Sequence, residues 1–368
     1  MLHFLCDSGF DVTFYSFENM WEYTWTKEGE AAFKSEFPTI RRVCDPWTAS
    51  LGLATRFKNN ALTLFPAAAR FLVALSLARA APNWRNLLKS GQYDKILVNY
   101  TLHSTLLNGV PLEHCIIDTH DLEFRELSLA RRRPIWHWDT VRRMRRELAI
   151  LDAAGAVIAI ADTERIILET LLTNRSVIYL PPRFPPRPLA INPDAQFELL
   201  FVGALNQKNE KGINAFLKSV PGWRRRPSIA IAGRVCESLQ VPETLTDSVK
   251  VLGHVPDIGA LYQNSKIAIA PVEGTGVNMK ILEALSYGRP VLAHPSAIAA
   301  LPPGSGQCVF ELGEDAVIGL LSDSVALASA SAAAIGYADF TQKNDGWEKL
   351  SLMLSKNEGS AYPFQYAS

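Results

Sequence analysis

Glu273-Gly274-Thr275-Gly276-Val277-Asn278-Met279-Lys280-Ile281-Leu282-Glu283-Ala284-Leu285 stands between an apolar run ending at Val272 and another starting at Pro290. It reads as a glycine-rich turn after a strand, followed by a helix over Val277–Tyr287. Two glycines let backbone amides approach a ligand closely, and a helix starting beside them points its free N–H groups and positive dipole end the same way. That suits a diphosphate. Lys280, one turn into the expected helix, reaches the same anion, and Glu283 lies three residues further along the same face. A carboxylate accepting two hydroxyls is the usual partner of a ribose. The same residues also describe an ordinary βα turn before a surface-charged helix, so the surrounding pattern has to decide.

On either side the chain alternates apolar runs with helical stretches. After residue 190 the strands are Glu198–Val202, Ser228–Ala232, Val249–Leu252, Ile267–Ala270 and Pro290–Ala293, with a helix over Ile213–Val220. Gly203, Gly233, Gly253 and Gly274 each follow a strand, where a βα turn at the carboxyl edge of a sheet needs small residues. Earlier runs repeat the pattern: Val12–Tyr15, Lys95–Tyr100, Cys115–Asp118, Ala156–Ile160 and Ser176–Leu180. Continuous apolar strands separated by helices describe parallel sheets covered on both faces. Between the halves, Pro181-Pro182-Arg183-Phe184-Pro185-Pro186-Arg187-Pro188 lacks donors and fixes φ, which excludes continued helix or central strand and marks a linker. The expected organisation is an α/β chain of two Rossmann-like domains, 1–185 and 186–335, with 336–368 returning to the first through a helix over Gly346–Ser355. Ala326–Ala334 reads as an ordinary helix, and no internal repeat is visible.

Composition narrows the partners. The 368 residues hold 37 basic and 37 acidic side chains, so the formal charge of zero excludes the global electrostatics of a nucleic-acid coat. Five scattered cysteines, Cys6, Cys44, Cys115, Cys236 and Cys308, contain no C-x-x-C pair and argue against a disulfide framework or structural zinc. A reducing cytoplasm is the expected location, since Met1–Asp7 lacks the basic region of a secretory signal. The apolar tract Ala61–Ala81 carries Pro66, Arg70 and Arg79. A charge near the centre of a spanning helix costs roughly 2.5–3.5 kcal/mol, so this tract reads as a buried or amphipathic helix.

The pieces from Phe201 to Pro295 resemble the nucleotide-sugar glycosyltransferases of the two-domain B-type (GT-B) fold, glycosyltransferase family 4 in particular, and the likeness extends over most of Leu2–Leu354. A strand and "VG" turn before "KG" are matched by Phe201-Val202-Gly203 and Lys211-Gly212, a strand ending in glycine by Ile231-Ala232-Gly233, and "GxVxD" by Gly253-His254-Val255-Pro256-Asp257 before Leu261-Tyr262. The resemblance implies two domains facing across a cleft, with Gly203, Lys211, Gly233, Glu273, Gly274, Thr275, Gly276, Val277, Met279, Lys280 and Glu283 binding the sugar donor and the backbone near His254 and Val255 meeting its base. It implies a nucleoside diphosphate sugar as substrate, a glycan or lipid-linked acceptor, and no cofactor. No D-x-D pair or His/Cys cluster suggests a metal, because cations can neutralise the diphosphate.

Three features depart from the family pattern. Nine residues rather than seven separate Glu273 from Glu283; Ala204 and Leu205 replace the basic residue after "VG", leaving Lys280 with Lys211 or Lys208 as cations; and Leu2–Gly9 resembles the end of the first helix, so the first strand and its loop are missing. A non-catalytic glycosyltransferase-like binding protein and a sugar-nucleotide epimerase of the same fold are the alternative readings.

Cys115–Asp118 runs into Thr119-His120-Asp121-Leu122-Glu123. His120 and Asp121 can cap a helix beginning near Leu122. Alternatively, the resemblance sets His120 against the donor sugar, with Asp118 and Asp121 in support. The catalytic candidates are therefore His120, Asp121 and Lys280. In a retaining reaction the leaving phosphate assists the acceptor, while an inverting one needs a carboxylate base such as Asp121 or Glu123.

Arg131–Arg146 holds seven arginines and one acid, Asp139, with Trp136 and Trp138 between the basic clusters. It reads as a solvated helix face with stacked tryptophans, or as a peripheral contact with an anionic membrane worth up to about 1 kcal/mol per basic residue.

Overall fold

A computed structural model describes residues 1–20, 23–47, 80–91, 93–107, 109–173 and 176–355. The Ala61–Ala81 tract lies outside them except for Ala80 and Ala81. The chain divides into two compact units, one drawn from Met1–Ile117, Ala153–Ala156 and Glu348–Ser368, the other from Asp118–Asp152 and Val157–Trp347.

In the first unit a short helix, Leu2–Asp7, precedes β1 (Thr13–Phe17). β2 (Asn19–Met20) and β3 (Tyr23–Thr24) form an antiparallel pair, and β4 (Arg41–Asp45) runs parallel to β1 with Phe17 opposite Asp45. β5 (Ile96–Asn99) lies beside β6 (Cys115–Asp118, as far as Ile117 in this unit). β4 carries no apolar run to announce it; its purpose is visible at its end. The buried Asp45 carboxylate accepts from the N–H groups of Asn83 at 3.2 Å and Trp84 at 2.9 Å, and from the Tyr15 hydroxyl at 3.0 Å. It thereby satisfies the free first turn of the Pro82–Ser90 helix.

The second unit holds β7 (Ala156–Ala159, from Val157 onward), paired parallel with β8 (Val177–Tyr179), and a six-stranded sheet. Its strands are β9 (Phe197–Val202), β10 (Ile229–Ala232), β11 (Val249–Gly253), β12 (Ser265–Ala270), β13 (Val291–Ala293) and β14 (Val309–Glu311). They run in the order β11-β10-β9-β12-β13-β14, every pair parallel. Side chains alternate across it. Leu200, Ala230 and Ala268 join one apolar cluster with Leu282 and Leu285, whereas Leu199, Ile229 and Ile267 join another with Ile213 and Phe216. Helices cover both faces, which is why the strands read as unbroken apolar runs. Among the described residues, no single helix is long and apolar enough to cross a membrane, and all five cysteines are free thiols.

Counted from β9, the strand order is 3-2-1-4-5-6, reversing between β9 and β12. Ligands of such sheets bind beyond the carboxyl ends at this reversal. Gly203 follows β9 there, and Gly233 follows β10 with φ +95°; a Cβ on Gly233 would lie 2.3 Å from the Gly203 carbonyl oxygen, so the two turns approach closely only with glycine at 233.

Pro181–Pro188 has neither helix nor strand, yet the segment is pinned. Arg187 N–H donates to the Ser286 carbonyl at 2.7 Å. Arg289, fully buried at 0% exposure, donates to the carbonyls of Tyr262 at 2.8 Å, Leu189 at 3.1 Å and Ala190 at 2.9 Å. A guanidinium matches three carbonyls with its planar fork where an apolar side chain leaves them orphaned. Arg289→Met is expected to lower the unfolding free energy by roughly 3 kcal/mol or more; an unchanged midpoint in denaturant titration would refute this role.

Candidate functional site

The loop after β12 leads into the helix Met279–Ser286, which starts two residues later than the sequence suggests. Lys280 is consequently the second helical residue rather than one turn inside. Its ammonium donates to Asn209 Oδ1 at 2.5 Å and lies 4.8 Å from the centroid of the Phe201 ring. Asn209 is itself fixed, its side-chain amide donating to the Ala204 carbonyl at 2.8 Å, at the start of the Gln207–Ser219 helix capped by Asn206. Burial pulls Lys280 down to about 8, opposed by the charge of Glu283. A partly enclosed cation hydrogen-bonded to a neutral amide is poised for an anion.

Glu283 accepts from the Tyr262 hydroxyl at 3.3 Å. Tyr262 stacks on Tyr287, ring centroids 4.7 Å apart, and Arg187 donates to the Tyr287 hydroxyl at 3.3 Å. Burial raises the Glu283 carboxyl, against the hydrogen bond from Tyr262 and the charges of Arg187 and Lys280. His254 is exposed just after β11, and Val255 packs partly against the core.

The glycine-rich loop meets the segment after β6 within the same unit. Thr275 donates to Glu126 Oε1 through its N–H at 3.2 Å and its hydroxyl at 2.5 Å, while Lys208 pairs with Glu126 Oε2 at 2.5 Å. Gly274 N–H donates to Ser296 Oγ at 3.2 Å. Burial raises Glu126, but the hydrogen bonds from Lys208 and Thr275 outweigh it and hold the carboxyl below its ordinary value. Gly276 faces Asp121 so closely that a Cβ there would come 2.0 Å from Asp121 Oδ1. Burial, then the charge of Glu126, pushes Asp121 up to about 6 against Lys208 and Arg125.

His120 has φ +54°, a left-handed conformation that a non-glycine residue adopts only when its surroundings dictate it. Its N–H donates to Asp118 Oδ1 at 3.3 Å, and its Nε2 lies 3.6 Å from Asp118 Oδ2. Burial raises Asp118, with His120 opposing. Neither His120 nor Asp121 caps the following helix, Glu123–Ala130. Glu164 takes the Leu122 N–H at 2.8 Å, and Glu147 takes those of Glu123 at 2.9 Å and Phe124 at 3.1 Å. The capping role therefore falls to two buried acids from elsewhere in the chain.

The structure thus gathers His120, Asp121, Gly276, Thr275 and Gly274 around Glu126 and Lys208, with Lys280 and Glu283 on the adjoining helix. Lys211, Glu273 and Met279 are exposed and take no part in these hydrogen bonds. Glu126, Asn209 and Tyr262 were not legible as site residues, because an acid, an amide or a tyrosine on a helix is ordinary until its partner is known. Among the described residues, no group of three metal-ligating side chains is present.

Residues 196–330 match the family described as glycosyl transferases group 1. No curated protein matches the chain. Among solved structures, sucrose-phosphate synthase from Thermosynechococcus elongatus superposes with TM-score 0.60 at 16% identity, over 95% of this chain and 88% of that one. WaaG, a glycosyltransferase involved in lipopolysaccharide biosynthesis, gives 0.58 at 14%, over 96% and 94%. HepE of Anabaena in complex with UDP-glucose gives 0.56 at 14%, over 89% and 88%. The chain has the fold of the B-type glycosyltransferases.

The buried cap supplies a pH signature. Burial lifts Glu164 from its ordinary 4.5 to about 8, with the Leu122 N–H opposing and Asp121 adding to the rise. A carboxyl whose folded value is raised favours the folded state below the unfolded value and loses that contribution as pH climbs from about 4.5 to 8. Glu164→Gln keeps an oxygen for the Leu122 N–H and cannot ionise. The variant is expected to match the parent near pH 5 and to exceed it in stability by pH 8, by about 1.4 kcal/mol for each pH unit of the rise. Parallel stability curves across that range would contradict the assignment.

Proposed function

From the fold and the match of residues 196–330 to the group 1 glycosyl transferases, we propose that this protein moves a sugar from a nucleoside diphosphate donor to a glycan or lipid-linked acceptor without a metal ion. The observation that carries the reading is the convergence, at the sheet's reversal point, of the Lys280 ammonium, the Lys208 ammonium and the Thr275 N–H and hydroxyl. The UDP-glucose complex of the Anabaena neighbour supports the same class of donor. The diphosphate takes these cations and the N–H groups of the glycine-rich loop; Glu283, oriented by Tyr262, takes the ribose hydroxyls; His120 and Asp121 face the sugar.

In a retaining transfer, the bond from the anomeric carbon to the phosphate oxygen breaks as the acceptor oxygen bonds to the same face. The acceptor proton passes to the leaving phosphate. Electrostatic stabilisation of that phosphate is then the main task, which suits preorganised cations and amides. The reading is tested with UDP-, GDP- and ADP-sugars by measuring nucleoside diphosphate release, with Lys280→Ala in parallel. Release from one donor, abolished in the variant, is expected. A changed sugar hydroxyl with no release would instead indicate an epimerase, and no binding or turnover of any donor by the folded chain would indicate a non-catalytic protein. Affinity should also fall above pH 8, roughly tenfold per pH unit, as Lys280 loses its proton. Lys280→Ala should lack that dependence.

Glu126 occupies the hydrogen-bond donors that a phosphate would use at Thr275 and Lys208. The sugar donor has to displace its carboxylate, so Glu126 acts as an internal competitor. Glu126→Gln, which keeps the shape and removes the charge, is expected to lower the Kd for the nucleoside diphosphate in calorimetric titration. A raised Kd would assign Glu126 to bracing the loop instead.

A further inference from the structure

The turn joining the helices Glu123–Ala130 and Trp138–Ala153 belongs to no part of the site described above. It is ordered by its own hydrogen bonds. Arg133 N–H donates to the Ser128 carbonyl at 2.9 Å, the Ser128 hydroxyl donates back to the Arg133 carbonyl at 2.5 Å, and His137 N–H donates to the Pro134 carbonyl at 3.0 Å. Arg132 takes a left-handed φ of +49° to make the bend. This fixed turn holds Ile135, Trp136 and Trp138 in solvent, with 46%, 81% and 69% of their surfaces exposed. The tryptophans do not stack on one another, and two indoles left outside the core cost the chain the burial they would have gained within it.

Charge surrounds these apolar side chains on one side of the balance. Arg131, Arg132, Arg133 and Arg145 are exposed, whereas Arg142, Arg143 and Arg146 are half-buried, with Arg143 and Arg146 facing Glu123. The segment's one acid, Asp139, is paired with Arg131. An apolar tip with two exposed indoles and exposed arginines next to it in the chain complements the boundary of an anionic bilayer: arginine forks match phosphate oxygens, indoles favour the headgroup level, and Ile135 finds an apolar phase just beneath. A polyanion such as single-stranded nucleic acid would satisfy the arginines and stack on the indoles, but has no apolar phase for Ile135.

We propose that the Arg131–Asp139 turn, with Arg145 behind it, docks the protein on anionic lipid. The inference does not depend on the sugar-transfer reading, and its readout is binding rather than activity. The full chain is sedimented with vesicles of phosphatidylcholine alone or mixed with phosphatidylglycerol, at low and high salt. Binding to the anionic vesicles is expected, weakened on the order of tenfold or more by high salt and likewise by Arg132→Gln, Arg133→Gln and Arg145→Gln together. Trp136→Ser with Trp138→Ser should reduce binding as well, and should remove the tryptophan emission quenched by brominated lipid in the parent. Equal binding by the variants, or none to anionic vesicles, overturns the proposal. So does capture by a single-stranded oligonucleotide instead of vesicles, or a dimer that the tryptophan variant abolishes. Circular dichroism melts of these surface variants, expected to be unchanged, separate lost binding from lost folding.

Discussion

Parallel pairing of Phe197–Val202 with Ser265–Ala270 is the constraint on which the second unit depends. These strands are neighbours in space but not in sequence, so the connections leaving them run to opposite sides of the sheet. Their carboxyl ends therefore open onto a crevice lined by two backbone turns instead of one. Gly233 lets its turn come within van der Waals reach of the Gly203 turn, and Gly212 lets the Gln207–Ser219 helix approach the Pro271 carbonyl, where a Cβ would stand 2.4 Å away. Close backbone contact brings Asn209, on that helix, to Lys280, on the helix that follows β12.

A second theme is the number of carboxylates held near this edge. Asp118, Asp121, Glu123 and Glu164 all have carboxyls raised by burial, and Glu126 escapes only through Lys208 and Thr275. Glu147 and Glu164 serve the backbone by accepting N–H groups at the start of the Glu123–Ala130 helix. That division of labour frees His120 and Asp121 from capping and leaves them against Gly276. Buried acids so close together make the region's stability respond to pH. The strained φ of His120 fits a residue held in place by its surroundings for more than local folding.

Much of this was legible beforehand. Apolar runs such as Ser228–Ala232 and Ile267–Ala270 announce buried strands, because a strand covered on both faces has no polar alternation to obscure it. Glycines after strands, and Lys280 with Glu283 three residues apart, mark the candidate site's edge from spacing alone. Other elements gave no signal. β4 is short and charged and is defined by its partner β1, and β14 has only three residues. Of the two cations offered, Lys211 and Lys208, it is Lys208 that pairs with Glu126, because which of them meets the loop depends on where Asn206 caps the helix.

By itself the sequence determined the class of fold, the carboxyl-edge glycines and the pair Lys280 and Glu283, since these follow from local periodicity and from motifs within one helix. Tertiary structure alone decided that Glu126 engages Thr275 and Lys208, that Glu147 and Glu164 cap the helix after His120, and that Arg289 holds Leu189 and Ala190 just beyond the proline-rich segment. Each of these joins residues some 20 to 150 positions apart. Their geometry is set by how helices and strands pack, and packing over that distance leaves no period in the chain from which to read it.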